Sequence, residues 1–135
     1  MPMPITLTFA SVFALFALVL SFRAGSFRAK AGISILFGEP ANMELAQRVR
    51  VHQNFLEYVP MILIVMGAIE ANGGSPTFLY VAGDVLIIAR IAHAIGLTHG
   101  NMMHKGRLIG AGGTALVTLA TAGYGLWIGA RALLG

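Results

Sequence analysis

Residues 5–22 read ITLTFASVFALFALVLSF, eighteen positions without a formal charge. An α-helix of that length rises about 27 Å, close to the thickness of a bilayer's hydrocarbon core. No soluble domain has a use for such a segment on its surface. This stretch therefore predicts a membrane-spanning first helix and sets the terms on which the rest of the chain is read. It has no basic residue before the apolar run, and its first arginine, Arg23, follows it. No clear small-x-small cleavage site follows either, so the segment reads as a retained helix rather than a secretory signal.

Composition extends the same reading to the whole chain. Of 135 residues, 57% are apolar and 10% charged, with a mean hydropathy of +0.81, whereas soluble domains carry roughly a quarter charged residues. The length suits a single domain, 1–135, whose helices share one bundle. Cysteine is absent, which excludes disulfides, thiolate metal sites and cysteine nucleophiles. The net charge of +4 would suggest nucleic acid in a soluble protein. Here the basic residues flank apolar segments, which points to membrane topology instead.

Three further spans follow. Residues 23–39 carry Arg23, Arg28 and Lys30 among glycines and read as a loop or frayed helix end. Gly38-Glu39-Pro40 signals a turn, and Asn42 is a plausible N-cap for a second helix over Met43–Ala71. That helix should be roughly 42 Å long, so its first turns project into water. Pro60 lies within it, tolerated where neighbouring helices satisfy the freed carbonyl. After the turn 72–76, a third span covers Thr77–Leu97, a loop Thr98–Arg107, and a fourth span Leu108–Ala130. The basic residues Arg23, Arg28, Lys30, Arg48, Arg50, Lys105 and Arg107 fall on one side and Arg131 alone on the other. The positive-inside rule then predicts both termini outside and both basic loops in the cytoplasm.

The informative motif is RVHQNFLEYVP at 50–60. Arg50, Asn54, Glu57 and Tyr58 recur at i, i+4, i+7 and i+8 and share one helical face, with Val51, Phe55 and Val59 directed away. Such a face cannot look at lipid; it must meet the bundle, a subunit interface or a polar ligand. An internal salt-bridge network is the competing structural reading. On the third span, Arg90 sits at the depth of Glu57, which makes the two a candidate ion pair, and His93 lies one turn from Arg90. Asp84 points elsewhere and suits a hydrogen bond to a threonine of the fourth span such as Thr121. His99 and His104 have no metal-site spacing, and no metal is expected. Gly125–Gly129 forms a GxxxG and Gly112-Gly113 a small-residue patch, both signals of close helix packing. Trp127 fits an interfacial belt.

These residues resemble the MAPEG family, which includes the microsomal glutathione transferases, leukotriene- and prostaglandin-E-forming synthases and the five-lipoxygenase-activating protein. The R-x-[HQ]-x-N-x-x-E spacing before Pro60 carries the likeness, and Arg90-Ile91-Ala92-His93 resembles the R-V-A-H of some members. The short bacterial branch fits best. The resemblance implies an all-α bundle of four transmembrane helices assembled as a homotrimer in a bacterial inner membrane, with glutathione between subunits near the cytoplasmic surface. It implies that Arg50, Asn54, Glu57 and Tyr58 bind the peptide and that His52 reaches it across the subunit boundary. Arg28 or Lys30 would add a basic contact, and Arg90 and His93 would line the pocket.

The resemblance further implies conjugation of the glutathione thiolate to hydrophobic electrophiles, with peroxide reduction as a second activity. Arginines suit the two carboxylates of glutathione and Glu57 its ammonium. Arg107 is the residue matching the family's thiolate-stabilising arginine, with Lys105 a second candidate. Leu97 stands where several members carry a tyrosine near the thiol. The alternative reading is a non-catalytic glutathione- or lipid-binding scaffold. A small multidrug transporter fits less well, because such proteins carry a glutamate in the first helix and this chain has none there.

Overall fold

The computed structural model describes residues 2–98 and 105–135. Four helices follow one another: α1 (Pro4–Lys30), α2 (Met43–Ala71), α3 (Pro76–Thr98) and α4 (Lys105–Leu134). All four are long and apolar enough to cross a membrane. They run alternately up and down, so the N-termini of α1 and α3 and the C-termini of α2 and α4 share one end, here the terminal end. The α1–α2 and α3–α4 connections lie at the other, the loop end.

The predicted spans are recovered, and two loops prove shorter than expected. α2 has the expected bounds, with Asn42 accepting a hydrogen bond from the Leu45 amide at 3.0 Å as its N-cap. Of the two readings of the stretch after Phe22, a loop or a frayed helix end, the helix end holds as far as Lys30. Arg28 and Lys30 occupy its last turn, where cations complement the negative end of the helix dipole. Arg28 also donates to the Leu36 carbonyl at 2.7 Å, tying the connection back to α1. Likewise the loop expected as far as Arg107 ends earlier, since α4 begins at Lys105 and runs past Ala130 to Leu134. Good helix formers at the flanks extend both helices beyond their apolar segments.

In a bilayer, helix association rests on close packing and polar contacts, because lipid tails are as apolar as leucine. α1 and α2 meet through aromatic side chains: the rings of Phe13 and Phe16 lie 5.9 and 5.5 Å from that of Phe55. Val51, Phe55 and Val59 are buried there, as their spacing predicts. α3 joins α1 at Gly83, where a Cβ would overlap the Phe9 ring.

A carboxylate fixes the terminal end. Glu70, near the end of α2, accepts hydrogen bonds from the amides of Ile5 and Thr6 at 2.9 and 2.7 Å. These are among the first amides of α1, which have no partner within their own helix. A charged acceptor there also meets the positive end of the α1 dipole. The α2–α3 turn is tied to α4 by the Ser75 amide, which donates to the Tyr124 hydroxyl at 2.9 Å. Glu70→Ala should lower unfolding stability in detergent by about 1.5–3 kcal/mol, the range for hydrogen bonds to a charged group. Glu70→Gln, retaining an acceptor, should lose less. Chemical denaturation followed by circular dichroism measures both.

Candidate functional site

The site begins with the way α3 and α4 touch. A Cβ on Gly96 would overlap the backbone nitrogen of Arg107. One on Gly110 would overlap the Cβ of His93 and lie 2.6 Å from its backbone nitrogen. One on Gly113 would come within 2.9 Å of the Ala89 side chain. Three successive turns of α3 thus rest directly on the backbone of α4, an approach open only to glycine at these points. The consequence is chemical as well as mechanical. Arg107, in the first turn of α4, is held beside His93, which in turn lies within electrostatic reach of Arg90.

Arg90 is the centre of the cluster. It is 1% exposed, and its Nη1 donates to Asn54 Oδ1 at 2.9 Å and to Thr114 Oγ1 at 3.3 Å. Thr114 passes the chain on, its hydroxyl donating to the Gly110 carbonyl at 2.8 Å. The guanidinium also lies 5.6 Å from the centre of the Phe55 ring, within cation–π range. Three helices therefore meet on one buried cation: α2 through Asn54 and Phe55, α3 through Arg90 itself, α4 through Thr114.

The expected Glu57–Arg90 ion pair is not formed. Glu57 pairs instead with Arg50, Oε1 to Nη1 at 2.8 Å, two turns away on its own helix. The two residues do share a face, and so Glu57 reaches along α2 more readily than across to α3. Among the described residues no carboxylate pairs with Arg90. Its neutral partners, Asn54 and Thr114, satisfy part of the guanidinium and leave its charge uncompensated. The Asp84–Thr121 hydrogen bond is absent too. Asp84 is exposed, while the Thr121 hydroxyl donates within α4 to the Val117 carbonyl at 2.8 Å.

The remaining sequence-predicted residues distribute as follows. Tyr58 is 44% exposed and within electrostatic reach of Arg90. His93 is buried and lies within electrostatic reach of Arg90, Arg107 and Arg50. His52 is half-buried on a different side of α2 from Asn54. Arg28 is engaged with the Leu36 carbonyl, and Lys30 and Lys105 are exposed. Among the described residues, neither Arg28 nor Lys30 joins the Arg90 cluster within the protomer. His99 and His104 fall outside the described residues, as does the side chain of Leu97. Among the described residues no group of three histidine or acidic side chains could hold a metal ion.

One site residue escaped the sequence reading. Thr114 sits in the uncharged, glycine-rich stretch 108–130 of α4, and only its adjacency to Gly110 and Gly113, the glycines that bring α4 against α3, marks it. A second near miss is Arg48, which pairs with Glu44 and lies 4.6 Å from the Phe27 ring centre, fastening the loop end of α1 to α2.

What the arrangement offers a ligand is a polar cluster at one end of an apolar bundle: the guanidiniums of Arg90, Arg107 and Arg50 all within electrostatic reach of His93, and one carboxylate already paired. Such a surplus of fixed positive charge in low dielectric favours an anion. A multi-helix membrane protein with a polar site at one end of its bundle is the class so defined. Comparison with known proteins narrows the class: the model of the MAPEG family matches residues 6–127, and the chain belongs to that family. It is 28% identical over 82 residues to the inner membrane protein YecN of Escherichia coli strain K12, and equally to that of strain O6:H1. These matches cover 61% of this chain and 63% of the relative, so the alignment spans less than two thirds of either. No solved structure matches.

Gly110→Leu should separate α3 from α4, because the side chain meets His93 backbone as well as side chain. Overpacking of this kind costs about 1–3 kcal/mol or more. The expected result is a lower thermal midpoint in detergent than that of Gly112→Leu, whose Cβ meets nothing within 4 Å.

Proposed function

We propose that the protein is a membrane-bound glutathione transferase that conjugates glutathione to hydrophobic electrophiles dissolved in the bilayer, with peroxide reduction as a second activity. The observation that carries the reading is Arg90: a buried guanidinium held by neutral Asn54 and Thr114, with Arg50 and Arg107 close by and a single paired carboxylate among them. A buried guanidinium with no carboxylate partner in a membrane-spanning helix points to a functional site. Glutathione matches it, with two carboxylates and a thiolate for the arginines and an ammonium for Glu57.

Asn54 gives its oxygen to Arg90 and retains its NH2 group as a donor to the peptide. Arg50, Glu57 and Tyr58 lie exposed on the same face and would clasp the ligand from one side. His52 from a neighbouring subunit, with Arg28 or Lys30, would close it from the other in a homotrimer. His93 would line the floor. In the reaction the thiolate sulfur forms a bond to the electrophilic carbon, and the leaving group departs with the displaced electron pair. The thiol proton goes to solvent beforehand. Arg107 stabilises the sulfur's negative charge, and so raises the fraction of thiolate near neutral pH. The basic loop end would face the cytoplasm, where glutathione is supplied.

Detergent-purified protein should conjugate glutathione to a generic aromatic halide, and Arg50→Ala should weaken glutathione binding. A control variant as active as the wild type would overturn the proposed site. Arg107→Ala should lower turnover about 100-fold, the scale of losing one preorganised charge-stabilising group, while leaving glutathione binding within about threefold. Its pH–rate limb should move upward toward 8.5, the ordinary thiol value, because removing a cation disfavours the thiolate. The scaffold reading rests on one observation, the leucine at 97 in place of a family tyrosine. It would be favoured by glutathione binding in a wild type inert toward several electrophiles.

A further inference from the structure

At the terminal end, about 33 Å of helix rise from Arg50, the groove between α2 and α4 opens into two adjoining hollows. The larger, about 730 Å³, is bordered by apolar and small residues, among them Ile64, Ala68, Leu126 and Gly129. The smaller, about 460 Å³, is bordered by Tyr124, Trp127 and Arg131 and by the glycines of the α2–α3 turn. Asn72 and Ile128 belong to both, so the two are continuous. On α2 the apolar hollow extends from Ile64 to Asn72, eight residues or about 12 Å along the membrane normal.

The polar hollow is suited to an anion. Arg131 is exposed, and among the described residues no carboxylate pairs with it. It lies 4.9 Å from the Trp127 ring centre, which holds the guanidinium over the mouth of the cup. The Tyr124 hydroxyl accepts from the Ser75 amide and so has its own proton left to donate. Among the described residues lining either hollow none is acidic. Trp127 stacks on Tyr124 with ring centres 5.7 Å apart, making a flat aromatic wall at the level where headgroups meet hydrocarbon.

We propose that this groove is a binding site for an anionic phospholipid, its phosphate at Arg131 and Tyr124 and an acyl chain in the hollow between α2 and α4. An amphiphile is the occupant whose two halves match the two hollows in order. The charged cup opens at the end of the bundle, and the apolar trough leads from it into the membrane. A soluble anion would have no use for the trough. A zwitterionic lipid would offer Arg131 a phosphate already balanced by the headgroup's own ammonium. Cationic recesses between transmembrane helices recognise headgroups in this way. The site is independent of the glutathione reading, since it shares no residue with the Arg90 cluster.

The chain carries its own reporter, because Trp127 is its only tryptophan. Full-length protein is reconstituted in phosphatidylcholine nanodiscs. Increasing fractions of phosphatidylglycerol or phosphatidylcholine, brominated near the head end of the acyl chain, are then introduced. Trp127 fluorescence should be quenched by brominated phosphatidylglycerol at about fivefold lower mole fraction than by brominated phosphatidylcholine, the preference expected of one cation facing an anionic headgroup. Arg131→Gln should abolish that preference while retaining quenching by both lipids. Gly129→Leu, whose side chain enters open space, should fill the trough and weaken quenching by phosphatidylglycerol. Equal quenching by the two lipids in the wild type would reduce Trp127 and Arg131 to ordinary interfacial anchors and overturn the proposal. Protection from both lipids would overturn it as well, by showing a second copy seated in the groove. Preference surviving in Arg131→Gln would equally defeat it.

Discussion

The direct contact of α3 with α4 is the constraint on which the other features depend. In lipid no hydrophobic force presses two helices together, and what remains is the closeness of their approach. Gly96, Gly110 and Gly113 remove the side chains that would hold the backbones apart. Because α4 begins only at Lys105, the same contact decides where its first turn lies. Arg107 is therefore placed beside His93 by packing, and Thr114 beside Arg90. The polar cluster around Arg90 has been built on a packing choice that involves no polar side chain at all.

Arg90 then converts packing into electrostatics. Its neighbours on α2 and α4 are dipoles rather than ions, so it is oriented without being neutralised. A carboxylate in the position of Asn54 would have given a tighter protomer and a closed site. The Arg50–Glu57 pair contrasts with this: about half exposed on both sides, it contributes little to stability and remains open to rearrangement around a ligand. One cation is held firmly and unneutralised, and a nearby pair is held loosely and balanced. MAPEG membership is consistent with a site of this kind, and the glutathione we propose for it matches its charges.

The fold was largely legible in the sequence because membrane spans are written in composition over many residues. Met43–Ala71 and its Asn42 cap could be read to the residue, and the shared face of Arg50, Asn54, Glu57 and Tyr58 followed from helical spacing. Errors arose where the decision lay with neighbouring helices. Glu57 and Arg90 stand at similar depths, yet depth says nothing about azimuth, and a partner on the same helix won. Thr121 was offered to Asp84 on composition alone, though a threonine in an apolar helix readily satisfies itself with its own backbone. The boundary at Phe22 was drawn where hydrophobicity stops, and helices extend into the interface beyond that point. Thr114 was invisible because its significance comes from a close approach that only the folded bundle reveals.

Glu70 has a bearing on motion. The ring contacts of α1 with α2, Phe13 and Phe16 on Phe55, carry no hydrogen bond that fixes the helix along its axis. Displacing α1 by one residue would shift it about 1.5 Å and rotate it about 100°. The carboxylate at the terminal end grips two consecutive amides and permits neither. It acts as a detent against piston movement, and so the depth at which Arg28 and Lys30 emerge at the opposite end is set by a group on another helix, some 25 residues away in the register of α1.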